Sequence, residues 1–388
     1  MGINGLMSFL RKECPKGSTE VDIGIFKNTK IAVDISIYLY KYKAAAGDKW
    51  IESIIFLIVS LRTRNIHPII IIDGTPPLEK TKEGERRNAN KVNTADKAKN
   101  LHIDLGNYRT TKHISETLDK TVQTLNDNIV KYSFIREKLD QRSGHKRAVL
   151  TIAEEKMIEA YIVKLNSQVI RITCDDLDRV EQFCEIIGVQ VIRADGEAEA
   201  CATLLYKTGK VSAILSEDSD ILTYGCDALL TKYNLGSGKA VLTSSQNIID
   251  GLGFTHSQFV DFCIMCGTDY NSNMRGVGIM TAYKLIHKLK TLEAISLTHD
   301  TTCLNYVRGR EIFKSHGGLI HSTPMKPLLH GDCKIVTKFA ATIKEINMTN
   351  AYIFLTSINA SPNCFASFDF MYNSLPSIDF DDTAHTEK

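Results

Sequence analysis

Residues 68–77 read PIIIIDGTPP. Four successive isoleucines show no alternation, so both faces of this segment are apolar. Such a run, bounded by turn residues, predicts a strand buried on both faces, the habit of a parallel sheet. Asp73-Gly74 and two prolines then stop it. Upstream, Lys30 to Ile35 is a second apolar run with Asp34 near its end, and Trp50 to Arg64 between them has helical apolar spacing. Asp34 and Asp73 then fall at or near the carboxyl ends of two strands, where ligands bind in open α/β sheets.

The same alternation returns later. Asp175 to Ile187 reads as a helix and Val189 to Arg193 as a strand, and Ala194-Asp195-Gly196 opens a helix with Asp195 as its N-cap. Val211 to Ser216 predicts another strand, followed by Glu217 to Asp220, and Ala228 to Tyr233 a further one. Thr255 to Gly267 is an apolar helix with a glycine C-cap, directly before Asp269. This βαβ-like pattern predicts a mostly parallel α/β sheet. From Leu78 to about Asn166 the strand signal fades. The stretch is polar, with Leu118, Val122, Leu125 and Ile129 at three- and four-residue spacing. A solvated helical insertion and a cationic arch over a site both fit that composition. After Leu292 no pattern is legible, and Asp379, Asp381 and Asp382 suggest a loosely ordered acidic tail.

A chain of 388 residues can bury one large core or two sub-domains. Net charge is +2, which names no partner. Between Leu78 and Arg147, however, 16 Lys/Arg face 10 Asp/Glu, and the rest is correspondingly acidic. Ten cysteines without framework spacing suit a reducing compartment, and Cys263 and Cys266 read as core thiols in an apolar helix. No secretory signal is visible, and the most apolar window, Ile54 to Leu61, is too short to span a membrane. Met1-Gly2 is not a myristoylation signal, because Leu6 stands where Ser or Thr is required.

Seven carboxylates carry the chemistry: Asp34, Asp73, Glu197, Glu199, Asp218, Asp220 and Asp269. Acids beside apolar runs are costly unless neutralised, and divalent cations held by oxygen ligands neutralise many at once. Metal-assisted chemistry on a phosphate is the leading expectation. Asp218 and Asp220 share a face if the strand end is extended. Glu197 and Glu199 would point about 200° apart in a regular helix, so they converge only if Glu197 lies at the irregular helix entry.

The chain resembles the XPG/flap-endonuclease family of structure-specific 5′ nucleases. The matching stretches are MGINGLMSFL, IAVDISIY, IIDGTPP with EGERR after it, ADGEAEACATLLYKTGKVSAILSEDSDILTYG and DFCIMCGTDYNSNMRGVGIMTAYKLI. The resemblance implies an α/β fold with a mostly parallel central sheet flanked by helices (a PIN-like nuclease core), a helical arch insertion and a helix–two-turn–helix DNA-binding element. It implies an N-terminal nuclease region over residues 1–90, the arch over 91–188, an internal nuclease region over 189–290, and an extension of unknown role over 291–388. It also implies two Mg²⁺ ions, with Mn²⁺ as a substitute, and hydrolysis of DNA phosphodiesters at 5′ flaps or ends. Asp34, Asp73 and Glu197 would hold one ion; Glu199, Asp218, Asp220 and Asp269 would hold the other. Lys80 and Arg87 would approach the scissile phosphate, with Lys82 and Arg86 beside them on the DNA. Tyr40, or Tyr38, would stack on a base. Gly276 and Gly278 would bring backbone amides to duplex phosphates, and Gly2 would lie near the substrate junction.

Ile72 replaces the family's usual aromatic residue. Residues 91–188 match no member closely, which leaves the selection of DNA ends open. No sliding-clamp peptide and no Lys-rich tail appear. This pattern suits a divergent member, such as one from a large DNA virus, acting as a monomer on branched or 5′-ended DNA in the nucleus, without a membrane. The near alternative is a 5′-exoribonuclease on the same fold. A non-catalytic DNA-binding scaffold would be expected to have lost metal ligands, and all seven are present.

Overall fold

A seven-stranded sheet organises the larger of two units in the computed structural model. Its strands are β1 (Ser18–Asp22), β2 (Lys30–Asp34), β3 (His67–Ile72), β4 (Gln190–Arg193), β5 (Ala213–Leu215), β6 (Leu229–Thr231) and β7 (Lys239–Thr243), in the spatial order β1-β7-β6-β5-β2-β3-β4. The ladders β2–β3, β2–β5, β3–β4 and β5–β6 are parallel, whereas β7 runs antiparallel to β6 and β1. The structure describes residues 2–3, 5–132, 149–314 and 348–374. The acidic tail therefore lies outside the described residues. Among them, no helix is long and apolar enough to cross a membrane.

The isoleucine run is explained by the two cores. Ala32, Ile69, Ile71 and Ile214 face one apolar cluster, with Phe9, Phe262 and Ile264. Ile31, Val33, Ile70, Ile72 and Leu215 face the other, with Ile54, Leu57 and Phe183. Every residue of β3 is buried. Full burial of one such side chain stabilises by about 1.5–3 kcal/mol. Cys263 and Cys266 are free and buried in the first cluster.

Helices cover both faces, and their ends follow side-chain chemistry. Thr173 and Thr255 form capping boxes with Asp176 and Gln258 at the heads of Cys174–Ile186 and His256–Cys266. Gly267, at φ +90°, closes the latter. Asp195 is not the cap of the next helix. Ala198–Lys207 starts later, with Glu197 in the N-cap position, because residues 194–196 pair instead with the turn after β3. The antiparallel pair β1 and β7 carries no continuous apolar run and was not legible. The region after Leu292 is also ordered in part: Leu292–Ser296 and Tyr306–Lys314 pack on the first core, Met348–Ser357 and Pro362–Ser374 on the second.

The second unit comprises Lys43–Ala45 and Gly84–Arg171. The stretch without strand signal forms the helices Thr81–Thr111, which begins in the first unit, Glu116–Tyr132 and Ile152–Gln168. They enclose their own core of Ala98, Leu101, Leu105, Tyr108, Leu118, Val122, Leu150, Ile158, Ile162 and Leu165. The insertion is helical and carries an apolar core of its own. Leu150 N–H donates to Tyr108 Oη at 2.9 Å, and Arg109 pairs with Glu155 and Glu159 on its surface.

Candidate active site

Four neighbouring parallel strands, β5-β2-β3-β4, end on one edge of the sheet, and each is followed by acid. Asp34 ends β2, Asp73 follows β3, Glu197 and Glu199 follow β4, and Asp218 and Asp220 follow β5. Topology alone therefore gathers six carboxylates.

The turns set them in place. Gly74 N–H donates to Gly196 O at 2.7 Å and Thr75 N–H to Asp195 O at 2.9 Å. This pairing leaves no room for a side chain: a Cβ on Gly74 would lie 1.8 Å from Ala194 O. It brings Asp73 Oδ1 within 2.8 Å of Ala198 N–H, so Asp73 caps the helix that carries Glu199. Glu197, at φ −86° and ψ 144°, is at the irregular helix entry, which lets both glutamates serve one site. Asp218 and Asp220 do not share an extended strand face. Strand β5 stops at Leu215, Asp220 opens a short helical turn, and Asp218 Oδ1 accepts its N–H at 2.9 Å. The N-terminal segment is tied to this turn, with Ile3 N–H donating to Ser219 Oγ and Asp220 Oδ1, both at 3.1 Å. Gly2, at φ +84°, packs so closely that a Cβ would lie 2.4 Å from Asp218 Oδ1.

Asp34 is 2 % exposed; its Oδ2 accepts from Ser216 Oγ at 2.8 Å, whereas Oδ1 has no partner. Burial, with Asp73 and Asp218 nearby and the Ser216 bond opposing, pushes its carboxyl up to about 7. Burial raises Glu199 well above the usual range, reinforced by Asp34, Asp218, Asp73 and Glu197. Asp220 rises through burial, then Asp218 and Asp269. Asp218 rises through burial and, among its neighbours, Asp269. These mutual repulsions place all seven carboxylates in one field.

Lys80 is the cation within it. Its Nζ donates to Glu197 Oε1 and lies 3.2 Å from Asp269 Oδ2, drawing in Asp269 from beyond the His256–Cys266 helix. Burial opposes its charge, but Glu197, Glu199 and Asp269 outweigh burial and keep Lys80 protonated.

Among the described residues, no three acidic, His or Cys side chains form a ready-made cation cage. The donor set nevertheless fits a hard divalent ion. All donors are carboxylate oxygens, and Asp34 Oδ1 and Glu199 Oε2 are buried without hydrogen-bond partners. Mg²⁺ keeps several waters and takes only one or two carboxylates directly, so it needs no such cage.

Two family models match the chain: the XPG N-terminal domain over residues 1–94 and the XPG I-region over 188–269. All seven carboxylates lie inside these regions. A probable RAD2-like endonuclease, 076L, of Invertebrate iridescent virus 3 is 30% identical over 334 residues, covering 81% of this chain and 85% of the viral protein. The chain belongs to the XPG/flap-endonuclease family. Flap endonuclease 1 of Cryptosporidium muris is 27% identical over 345 residues, covering 81% of this chain and 62% of that protein. The catalytic core of Rad2, solved in complex with DNA substrate, matches with a TM-score of 0.57 at 14% identity, over 97% of this chain and 100% of that one. The fold is thus the PIN-like nuclease fold of this family.

The remaining residues implied by the family resemblance fall in different places. Tyr38 is buried, 1 % exposed, whereas Tyr40 is at the surface. Lys82 is exposed in the first unit. Arg86 and Arg87 belong to the second unit, on the Thr81–Thr111 helix. Gly276, at φ +76°, and Gly278, the N-cap of Ile279–Leu289, have open space around their Cα atoms. Sequence reasoning missed Tyr270, whose hydroxyl donates to Glu197 Oε2, and the tyrosine behind it, Tyr224. It also missed Lys91 and Arg171 in the second unit. Lys91 is held below the usual lysine range by burial and by Arg171 and Arg87, a local concentration of positive charge. The adjacency of Tyr270 to Asp269 was the one available signal.

Proposed function

We propose that the chain is a Mg²⁺-dependent, structure-specific nuclease that hydrolyses DNA phosphodiesters at 5′ flaps or ends. The observation that carries this reading is the convergence of seven carboxylates, two with unpartnered buried oxygens, around one protonated lysine. Asp34, Asp73 and Glu197 would hold one ion; Glu199, Asp218, Asp220 and Asp269 would hold the second. Bound divalent ions supply Lewis-acid activation of water and neutralise charge at the phosphate.

The chain's own groups do the rest. Lys80 stays charged and offers its ammonium to a non-bridging phosphate oxygen. Lys82 and Arg86 add charge along the backbone of the nucleic acid. Tyr40 presents an exposed ring for base stacking. Gly276 and Gly278 offer backbone amides at a helix N-terminus to duplex phosphates, without reading sequence. Gly2 acts through Asp218, keeping the N-terminal segment against the metal-ligating turn. The second unit selects substrates. Work on branched DNA in replication, repair or recombination, as a monomer in a nucleus, follows from this reading.

The test uses 5′-labelled flap duplexes with DNA or RNA flaps, in Mg²⁺, in Mn²⁺ and in EDTA. Cleavage of the DNA flap near its junction, supported by either ion and abolished by EDTA, is expected. Cleavage that persists in EDTA contradicts the metal mechanism, and preference for the RNA flap would make the protein an exoribonuclease-like member.

A further inference from the structure

Both oxygens of Glu197 are held. Oε1 accepts from Lys80, and Oε2 accepts from the Tyr270 hydroxyl. Tyr270 Oη lies 3.2 Å from Tyr224 Oη. The tyrosines are 7 % and 2 % exposed, and Phe313 packs edge-on against both, with ring centres 5.6 Å and 5.0 Å away. Three segments thus meet behind one carboxylate. Tyr224 follows the helical turn that Asp220 opens, Tyr270 follows Asp269, and Phe313 belongs to the Tyr306–Lys314 helix.

The direction of the chain of bonds is fixed by donor chemistry. An ionised carboxylate only accepts, so the Tyr270 proton points to Glu197. Tyr270 Oη can then only accept from Tyr224, whose proton points to Tyr270. Bonds aligned in one direction polarise and strengthen one another. Packing alone does not account for the hydroxyls. Phenylalanine would fill the same space without burying a polar atom that needs a partner.

We propose that Tyr270, backed by Tyr224, is a positioning residue of the metal centre: the hydroxyl pair fixes the Glu197 carboxylate for a divalent ion. This rests on the proposed function. The tyrosines touch neither substrate nor ion; they act through Glu197, as outer partners orient metal ligands elsewhere, where removing them costs about 10–100-fold in affinity or activity.

The experiment measures Mn²⁺ affinity of the full chain without DNA, by electron paramagnetic resonance of free Mn²⁺. The proteins compared are wild type, Tyr270→Phe, Tyr224→Phe, the double variant and Asp34→Ala. Tyr270→Phe is expected to weaken Mn²⁺ binding about tenfold. Tyr224→Phe should weaken it less, and the double variant should match Tyr270→Phe, because Tyr224 acts through Tyr270. Flap-DNA affinity in EDTA should stay at the wild-type value, which a general loss of structure would not allow. A Tyr270→Phe protein that binds Mn²⁺ within about threefold of wild type overturns the proposal, as does a double variant weaker than Tyr270→Phe. Asp34→Ala separates the two levels. If wild type holds no Mn²⁺ that Asp34→Ala loses, the metal reading itself fails and takes this proposal with it. If that control succeeds and Tyr270→Phe binds normally, only the tyrosine pair is wrong.

Discussion

Glu199 shows what a cluster of buried carboxylates costs the fold. Its Oε2 is buried without a partner, and four other carboxylates raise its proton affinity. Neutralising it removes repulsion while keeping shape. Glu199→Gln should therefore raise the thermal midpoint in EDTA, by an amount on the order of 1 kcal/mol in stability; a lowered midpoint would contradict the clustered arrangement. His67 carries the opposite sign. Its Nδ1 lies 3.0 Å from Arg62 Nη1, and since arginine only donates, this nitrogen must be unprotonated. Burial, then Arg62 and Lys30, depress its proton affinity to about 4 from an ordinary 6.5. The folded state thus refuses a proton that the unfolded chain accepts. Stability from this residue is complete above about pH 6.5 and is lost as pH falls toward 4, with a ceiling near ~3 kcal/mol. Urea unfolding at pH 7.5 and 4.5 should show a smaller acid loss in His67→Asn than in wild type; equal losses would exclude His67 as the source.

At the scale of elements, the turn after β3 is the joint that brings acids together. Gly74 N–H and Thr75 N–H bond to the backbone at Gly196 and Asp195, and Asp73 then caps the Ala198–Lys207 helix. A methyl group at position 74 would sit 1.8 Å from Ala194 O, which is backbone and cannot step aside. Gly74→Ala should cost about 1–3 kcal/mol and weaken divalent-ion binding more than a stability loss of that size explains. Unfolding midpoints and ion affinity measured on the same protein check this, and wild-type ion affinity would refute it. This joint was half legible. The Asp-Gly-x-Pro-Pro stop after an isoleucine run marks a strand end. That residues 194–196 spend their backbone on this turn was not legible, so the helix was expected to start at Asp195 rather than after Glu197. The strands β1 and β7 were missed because STEVD and KAVLT are five residues each and only partly buried, with no continuous apolar run. The second unit's core was blurred because its apolar positions are diluted by a charged surface.

For the whole molecule, continuous apolarity in β2, β3 and β5 made the parallel sheet readable, and acids following parallel strands made the site readable with it. Parallel strands present their carboxyl ends on one edge, so a list of acids in sequence becomes a cluster in space. What sequence could not supply was the company those acids keep: Lys80 between Glu197 and Asp269, and the phenol of Tyr270 behind Glu197, both contacts across more than 70 positions of chain. The central claim is that this cluster, as one unit, performs the cut. It is tested most directly by single-turnover cleavage of a labelled 5′-flap duplex in Mg²⁺ by wild type and Asp218→Ala, with flap affinity measured in EDTA. The account predicts that Asp218→Ala cleaves at least about 100-fold more slowly while binding the flap as tightly as wild type. A variant that binds normally and cleaves at the wild-type rate would contradict it.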